Sequence, residues 1–495
     1  MSSVKKQLIS GVAYTAFSKY FGMGISLLVT AILARLISPS DFGIVAIATV
    51  IIAFFGVLGD LGIAPAVIQK KELSVKELSD IFSFTLWIGL IISICFFSFS
   101  GAVADYYKSS VLKPICRLLS VILFFNAADI VPNALLMKNK EFRFIAWRTV
   151  IIQFAGGTVS VIAAFSGAGL YALLINPIFS SIMVFVVSYM KYPQKVRSSW
   201  GLSSIKKIFS YSFYQFLFNI INFFSRNLDK LLIGKYMGMS LLGYYEKSYR
   251  LMMLPLQNIT HVITPVMHPV LSDFQKDLKH LSWSYLKIVK LLAFIGIPLS
   301  VFLWFTSQEI ILIVFGNQWM RAVPVFRILS ITVGIQIVLS TSGSIFQAAN
   351  DTKTLFFSGL LSAVLNIAGI LTGIFIFGTL EAVAWCICIA FIINFIQSYI
   401  LLYRFTLSLS LVPFFRQFVS PLILGCILIL IFEIMQGFAA GCGTLLSFII
   451  KGTVFFAVSL AYVQLTHTYN LRSVVLKIRD MIRGGMKKNS TGEKQ

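Results

Sequence analysis

Six polar side chains between positions 212 and 229 pose the chemical question. Ser212, Gln215, Asn219, Asn222, Arg226 and Asp229 are spaced three, four, three, four and three residues apart. On a helix that spacing puts them on one face, within roughly 60° of its centre. The opposite face is Phe213, Leu217, Ile221, Phe224 and Leu228. Charged and amide groups are costly against lipid, so the stripe is expected to face a water-filled cavity; read structurally, the same row is polar glue between packed helices. A second stripe follows in Glu246, Arg250, Gln257, His261, Thr264 and His268, and Pro255, Pro265 and Pro269 are expected to bend that segment or free its carbonyls. Glu246 and Arg250, four residues apart, either serve a ligand or neutralise each other. Lys247 lies off the stripe and is expected to snorkel to an interface.

Elsewhere the charges are isolated. Lys19 sits mid-span beside Ser18, Gly22, Ser26, Thr30 and Ala34, small residues recurring every fourth position that permit close helix packing. Asn126, Asp129 and Asn133 share one helical face; Gln336, Ser340, Gly343 and Gln347 share another. Asp60, within Gly56-Val-Leu-Gly59-Asp60-Leu-Gly62, is either an ion-coupling carboxylate or the cap of a broken helix. Asp60, Asp129 and Glu246 are thus the ion-coupling candidates. Lys19, Arg226 and Arg250, with Gln215, Asn219 and Asn222, are the ligand-binding candidates. Such a positively biased cavity suits a phosphate ester, to whose oxygens Arg offers a fork and Lys a mobile charge.

The elements that must position these groups are membrane helices. Of 495 residues 58% are hydrophobic and 12% charged, and the mean hydropathy is +0.88. Apolar stretches of roughly 20 residues, enough to span a bilayer, separate the charge clusters. The net charge of +23 does not point to nucleic acid, because no basic run is interleaved with aromatics in a soluble module. The six cysteines lack metal-ligand spacing, and the run after Lys5 and Lys6 lacks a signal-peptide cleavage pattern. No catalytic residue, metal site or cofactor is expected, and no phosphate loop supports ATP-driven transport.

Fourteen helices are expected, centred near residues 22, 54, 91, 125, 157, 180, 219, 256, 295, 336, 366, 391, 426 and 456. The fold class is all-α: a polytopic membrane protein with two six-helix lobes, 1–200 and 201–410, two extra helices in 411–470, and a basic cytoplasmic tail in 471–495. Most of the 41 basic residues fall on one side of these spans, including Lys70, Lys71, Lys138, Lys140, Arg148, Lys191, Lys279 and Arg404, so both termini are expected in the cytoplasm. Ser74-Val-Lys-Glu77 has the form of a capping box for a brief surface helix.

The chain also resembles itself. Ile32-Leu-Ala-Arg35 through Gly43 answers Leu232-Ile-Gly-Lys235 through Gly243 at a shift of 200, and Pro114-Ile-Cys-Arg117-Leu-Leu-Ser120 answers Pro324-Val-Phe-Arg327-Ile-Leu-Ser330 at 210. Leu170-Tyr-Ala172 answers Leu380-Glu-Ala382 at the second shift. The matches lie six helices apart, so the repeats are expected to share one orientation, as in alternating-access transporters.

Ala34-Arg-Leu-Ile-Ser38-Pro39-Ser-Asp41-Phe42-Gly43, then Asp60-Leu-Gly62-Ile-Ala-Pro-Ala66-Val-Ile-Gln69, and Asn227-Leu-Asp229-Lys-Leu-Leu-Ile-Gly234-Lys235 with Leu242-Gly243-Tyr244-Tyr245 resemble the polysaccharide transporter (Wzx-type, colanic-acid-flippase-like) branch of the multidrug/oligosaccharidyl-lipid/polysaccharide exporter superfamily. The resemblance implies a flippase for undecaprenyl-pyrophosphate-linked oligosaccharide in the bacterial cytoplasmic membrane, with membrane lipid and polysaccharide-assembly proteins such as a polymerase as partners. Peptidoglycan lipid-precursor flippases and cation or drug antiporters of the same superfamily are the alternatives. The charge asymmetry yields a first prediction. Reporter fusions after positions 72 and 140 are expected to report cytoplasm, and fusions near 107 and 318 periplasm; the reverse pattern would sink the span count.

Overall fold

The computed structural model describes residues 2–60, 62–70, 73–197, 220, 223–224, 226–272, 274–275, 277–439 and 443–466; within these, the side chains of 2–13, 60, 261–266, 268–270 and 272 are not described. All regular elements among the described residues are helices. The first seven are α1 (Ser2–Leu36), α2 (Pro39–Asp60), α3 (Ile63–Gln69), α4 (Val75–Tyr106), α5 (Leu112–Lys138), α6 (Phe142–Phe165) and α7 (Ala172–Lys191). Next come α8 (226–236), α9 (Met239–Ser272), α10 (Leu278–Phe305), α11 (Ser307–Val314), α12 (Ala322–Ser330), α13 (Val333–Leu339) and α14 (Ser342–Ala348). The last are α15 (Thr352–Leu371), α16 (Leu380–Leu401), α17 (Val412–Ala439) and α18 (Thr444–Thr466).

Eleven helices among the described residues are long and apolar enough to cross a membrane, or twelve if the pair bent by 49° after Ser330 is one span. Of the fourteen expected, the span near 219 falls largely outside the described residues. The one near 256 is α9, long enough at 34 residues but made less apolar by its charges, amides and histidines. Its three prolines do not interrupt it. The tenth expected helix is instead broken into α12, α13 and α14. Thr332, Ser340 and Thr341 donate back to the carbonyls of Leu329, Ile337 and Val338 at 2.7–2.9 Å, which competes with the helical ladder. The capping box is real, with Ser74 Oγ accepting from the Glu77 N–H and Glu77 accepting from the Ser74 N–H, but it opens the 32-residue span α4 rather than a surface helix.

By compactness the chain forms two units. One comprises Met1–Leu251, Val314–Val325 and Ser362–Ala390; the other comprises Met252–Ile313, Phe326–Leu361 and Phe391–Gln495. In the first, α2 breaks after Asp60 at Gly62 (φ +69°), and the short α3 turns Ile63, Ala66 and Val67 into a core with Ile81, Phe82, Val131 and Leu135. In the second, Phe305, Leu424, Leu428 and Phe432 form a core between α10 and α17. There α18 is tied in by Lys451, which binds Glu309 and donates to the Phe305 carbonyl (2.9 Å).

The internal repeat recurs at atomic detail. In the first unit Arg117 Nε donates to Ser100 Oγ (3.3 Å) and its guanidinium lies 4.8 Å from the Phe97 ring. In the second, Arg327 Nε donates to Ser307 Oγ (3.0 Å) over Trp304 (5.9 Å). Ser120 and Ser330 each cap the carbonyl of their arginine at 2.6 Å. The turns that follow agree too, with Lys140 (φ 59°) and Asn350 (φ 58°) both left-handed and their N–H groups bonded to Met137 and Gln347 at 3.0 Å.

The other match forms a contact within the first unit. The α1–α2 corner bonds Ile37 N–H to Leu33 O and the α8–α9 corner bonds Met237 N–H to Ile233 O, both at 2.9 Å. The two corners meet: a Cβ on Gly43 would overlap the Met239 carbonyl, and a Cβ on Gly243 would overlap the Pro39 carbonyl. Each glycine thus faces the residue four positions before the other glycine, a reciprocal relation like that across a two-fold axis. Gly43→Ala and Gly243→Ala must each force α2 and α9 apart, at about 1–3 kcal/mol for overpacking. Both are expected to lower the thermal unfolding temperature of the purified protein. Gly437→Ala, where a Cβ meets nothing within 4 Å, is expected to leave it unchanged or raise it.

Candidate substrate cavity

The corner at Gly238 (φ +98°) folds α8 and α9 into a hairpin, so residues equally distant from it lie at similar depth. Lys230 on α8 and Glu246, Lys247 and Arg250 on α9 line one cavity of about 280 Å³, together with Ser26 and Thr30 of α1, Thr49 of α2 and Asn176 of α7. Three cations there face one carboxylate.

Lys247 is the most confined of the four, at 3% exposed. Its ammonium lies 3.6 Å from Glu246 Oε2 and 4.1 Å from the centre of the Phe42 ring. The expectation that it snorkels to an interface is therefore wrong. Phe42 is itself clamped edge-on by the buried Trp319 (5.4 Å), whose indole N–H caps the Ala34 carbonyl at 2.8 Å. Gln318 donates to the same carbonyl and to Ile37 O (3.2 Å), so the free carbonyls closing α1 are satisfied by side chains. Beside Lys247, Ser248 donates to Ala322 O at 2.8 Å. Arg250 reaches Ser26 Oγ at 3.1 Å while staying exposed; Glu246 pairs with Lys247 rather than with Arg250.

The small-residue face of α1 has distinct uses along its length. A Cβ on Gly22 would come within 2.6 Å of Gln153 on α6. Ser26 accepts from Arg250, Thr30 lines the cavity and Ala34 is fully buried. Lys19 is half-buried, two turns and about 10 Å from Ser26 on the same face, outside the cavity lining. Among the described residues it makes no hydrogen bond or ion pair. Arg226 is exposed on α8, one turn before Lys230. Gln215, Asn219 and Asn222 lie outside the described residues, as does the Asp60 side chain.

Asp129 belongs elsewhere, to a polar cluster among α5, α6 and α7. Arg148, 8% exposed, donates to Ser188 and to Asn133 Oδ1 (3.1 Å). Asp129 lies within electrostatic and hydrogen-bonding reach of Arg148 and Ser188, with Oδ1 buried and unbonded. Arg148 is thus no loop cation: it faces inward from the second turn of α6. The signal for it was the coincidence of one arginine with the Asp129 and Asn133 face.

These features define a polytopic, all-helical membrane protein with a cavity lined by ionic side chains. The chain belongs to the polysaccharide biosynthesis protein family, whose model matches residues 32–324. It is 25% identical over 429 residues to the lipopolysaccharide biosynthesis protein WzxC of Escherichia coli (strain K12), covering 85% of each chain. It is 24% identical over 433 residues to the teichuronic acid biosynthesis protein TuaB of Bacillus subtilis (strain 168), covering 86% of this chain and 88% of that one. Among solved structures it shares the fold of the Lipid II flippase MurJ in its inward closed conformation (TM-score 0.71, 18% identity, 94% of this chain and 100% of that one). An inward-facing multidrug resistance MATE family transporter of the MOP superfamily is also similar (TM-score 0.58, 15% identity, 78% and 94%).

Truncating Lys247 leaves Glu246, whose side chain is 20% exposed, without its ion-pair partner. Loss of one partner of a fully buried pair costs about 3–5 kcal/mol, and the residual exposure reduces that to about 1–3 kcal/mol. Lys247→Met is therefore expected to lower stability in a denaturant or thermal melt, and adding Glu246→Gln is expected to restore most of the loss. Additive losses in the double variant would contradict the pairing.

Proposed function

We propose that this chain flips undecaprenyl-pyrophosphate-linked oligosaccharide repeat units from the cytoplasmic to the periplasmic leaflet of the bacterial cytoplasmic membrane. It does so by alternating access, ahead of polymerisation for O-antigen, exopolysaccharide or capsule export, and it hands its product to a polymerase. The observation that carries the reading is the cavity in which Lys230, Lys247 and Arg250 outnumber Glu246. Its relatives' names in lipopolysaccharide and teichuronic acid biosynthesis support the sugar part of the substrate.

In this reading Lys230, Lys247 and Arg250 take the diphosphate, and Lys19 and Arg226 extend the cationic path along α1 and α8. Gln215, Asn219 and Asn222 offer amides to the sugars. The repeats act as two lobes, 1–200 and 201–410, with both termini cytoplasmic and the basic 471–495 tail on the anionic leaflet. Asp60, Asp129 and Glu246 are candidates for carboxylates through which an ion gradient would act. A peptidoglycan-precursor flippase would use the same diphosphate chemistry. A cation or drug antiporter of the superfamily would rely on acidic cavity groups, and this cavity is basic.

The test is binding of the lipid-linked diphosphate to purified variants and polymer export in cells. A hydrogen bond to a charged group is worth about 1.5–3 kcal/mol, so Arg250→Ala and Arg226→Ala are each expected to weaken binding roughly 10- to 150-fold. Arg226→Lys, which keeps charge without the fork, is expected to fall between. Arg404→Ala, an exposed residue in the short helix Leu402–Thr406 that is not part of the cavity lining, is expected to be silent. Well-expressed Lys19→Ala, Arg226→Ala and Arg250→Ala proteins that all bind and export at normal rates would overturn the assignment.

A further inference from the structure

Immediately before the cavity cation Lys230 on α8 lies a carboxylate that the proposed transport does not use. Asp229 on α8 is 6% exposed. Its Oδ2 accepts a hydrogen bond from the fully buried Tyr245 hydroxyl at 2.6 Å, and its Oδ1, also buried, has no hydrogen-bond partner among the described residues. The charged and titratable groups around it are few. Lys230 and Arg226 stand on its own helix, Tyr245 and Tyr249 face it from α9, and Cys388 of α16 approaches Tyr245. Lys230 makes no ion pair with it among the described residues and lines the cavity instead.

The other buried carboxylates are differently placed. Asp80 pairs with Arg197, Glu246 with Lys247 and Glu309 with Lys451; Asp129 has Arg148 beside it. Asp229 combines deep burial, one hydroxyl donor and a bare oxygen. An ionised carboxylate in that setting would have only the Tyr245 hydroxyl and the polar groups of its own helix, chiefly Lys230, to set against its burial, and taking a proton removes that cost. We infer that Asp229 carries the proton coupled to transport. Only an O–H bond forms or breaks in the step: the carboxylate takes a proton from water on the side of higher proton activity and releases it to water on the other side after the hairpin moves.

The geometry explains how such a proton would be felt by the substrate. Asp229 precedes Lys230, and Tyr245 precedes Glu246 and Lys247, so the proton site and the cavity cations occupy successive positions on the same two helices. A hairpin rotation that wets Asp229 also changes how Lys230 and Lys247 present themselves. This coupling rests on the proposed flippase reading, but the protonation itself does not.

Infrared difference spectroscopy of the detergent-purified full chain tests it directly. Wild type at neutral pH is expected to show the C=O stretch of a protonated carboxylic acid, sensitive to deuterium exchange and absent from Asp229→Asn. Tyr245→Phe removes the hydrogen bond to the carbonyl, so its band is expected to move to higher frequency. That variant decides the matter if Asp229→Asn does not fold. In proteoliposomes carrying a polyprenyl diphosphate probe, the part of transport driven by a pH gradient is expected to fall at least about tenfold in Asp229→Asn. A band missing from wild type, retained in Asp229→Asn or unmoved in Tyr245→Phe overturns the proposal. So does a band abolished by sodium at constant pH, which would assign the site to a metal cation. Arg250→Ala should keep the band whether or not it loses probe binding, so failure of the cavity reading remains distinct from failure of this one.

Discussion

The arrangement of the first unit depends on what it takes to hold Lys247 away from water. An ammonium buried in apolar surroundings must be paired or solvated by dipoles, and here it meets one carboxylate and one aromatic face. Each contact constrains a different element. Glu246 follows from the helix of Lys247 itself, but Phe42 belongs to α2, and Trp319, which fixes the edge of Phe42, reaches back to the end of α1. Stabilising one lysine thereby sets the positions of α1, α2, α9 and the 314–325 segment together.

The close approach that makes this possible comes from the repeat. Reciprocal packing of Gly43 and Gly243 lets the backbones of α2 and α9 touch, and only that proximity puts a side chain of α9 over a ring of α2. The second repeat motif has a different use. Arg117 and Arg327 each bind a serine of a preceding helix and lie over an aromatic ring three residues before that serine. The duplicated sequence thus preserves a rigid corner in both units, while the polar residues between the corners are free to diverge. That is why the corners match in sequence and the cavity residues do not.

The same distinction decides what could be read in advance. Membrane helices and repeat corners were legible because they rest on local rules: hydrophobic length, small residues at fixed spacing, a serine three residues after an arginine. Glu246 and Arg250 were found through helical periodicity. Lys247 and Lys230 were missed because periodicity assigns a face only relative to one helix axis, and α9 buries more than one face near the Gly238 corner. Arg148 was misplaced because a charge count assigns cations to loops, whereas this one is held six residues into a helix by Asn133 and Ser188. The break at Ser330 escaped because serine and threonine interrupt a helix only where tertiary packing favours the bend, and that packing, such as the backbone of Gly334 lying directly on that of Gly296, is not a local property of the sequence.

The balance of charge in the cavity carries the argument one step further. With Glu246 committed to Lys247, Lys230 and Arg250 are left without a carboxylate in the cavity. Ser26 satisfies one donor of Arg250 but none of its charge. In water that excess would be screened within about 8–10 Å, but against helices facing lipid it projects into the cavity with little attenuation. A ligand bearing two negative charges, as a diphosphate diester does, would bring the four side chains and itself to neutrality. A monovalent cation would add to the repulsion. The charge pattern therefore discriminates by sign before any sugar is recognised, and it leaves selection among sugars to groups farther from Lys247.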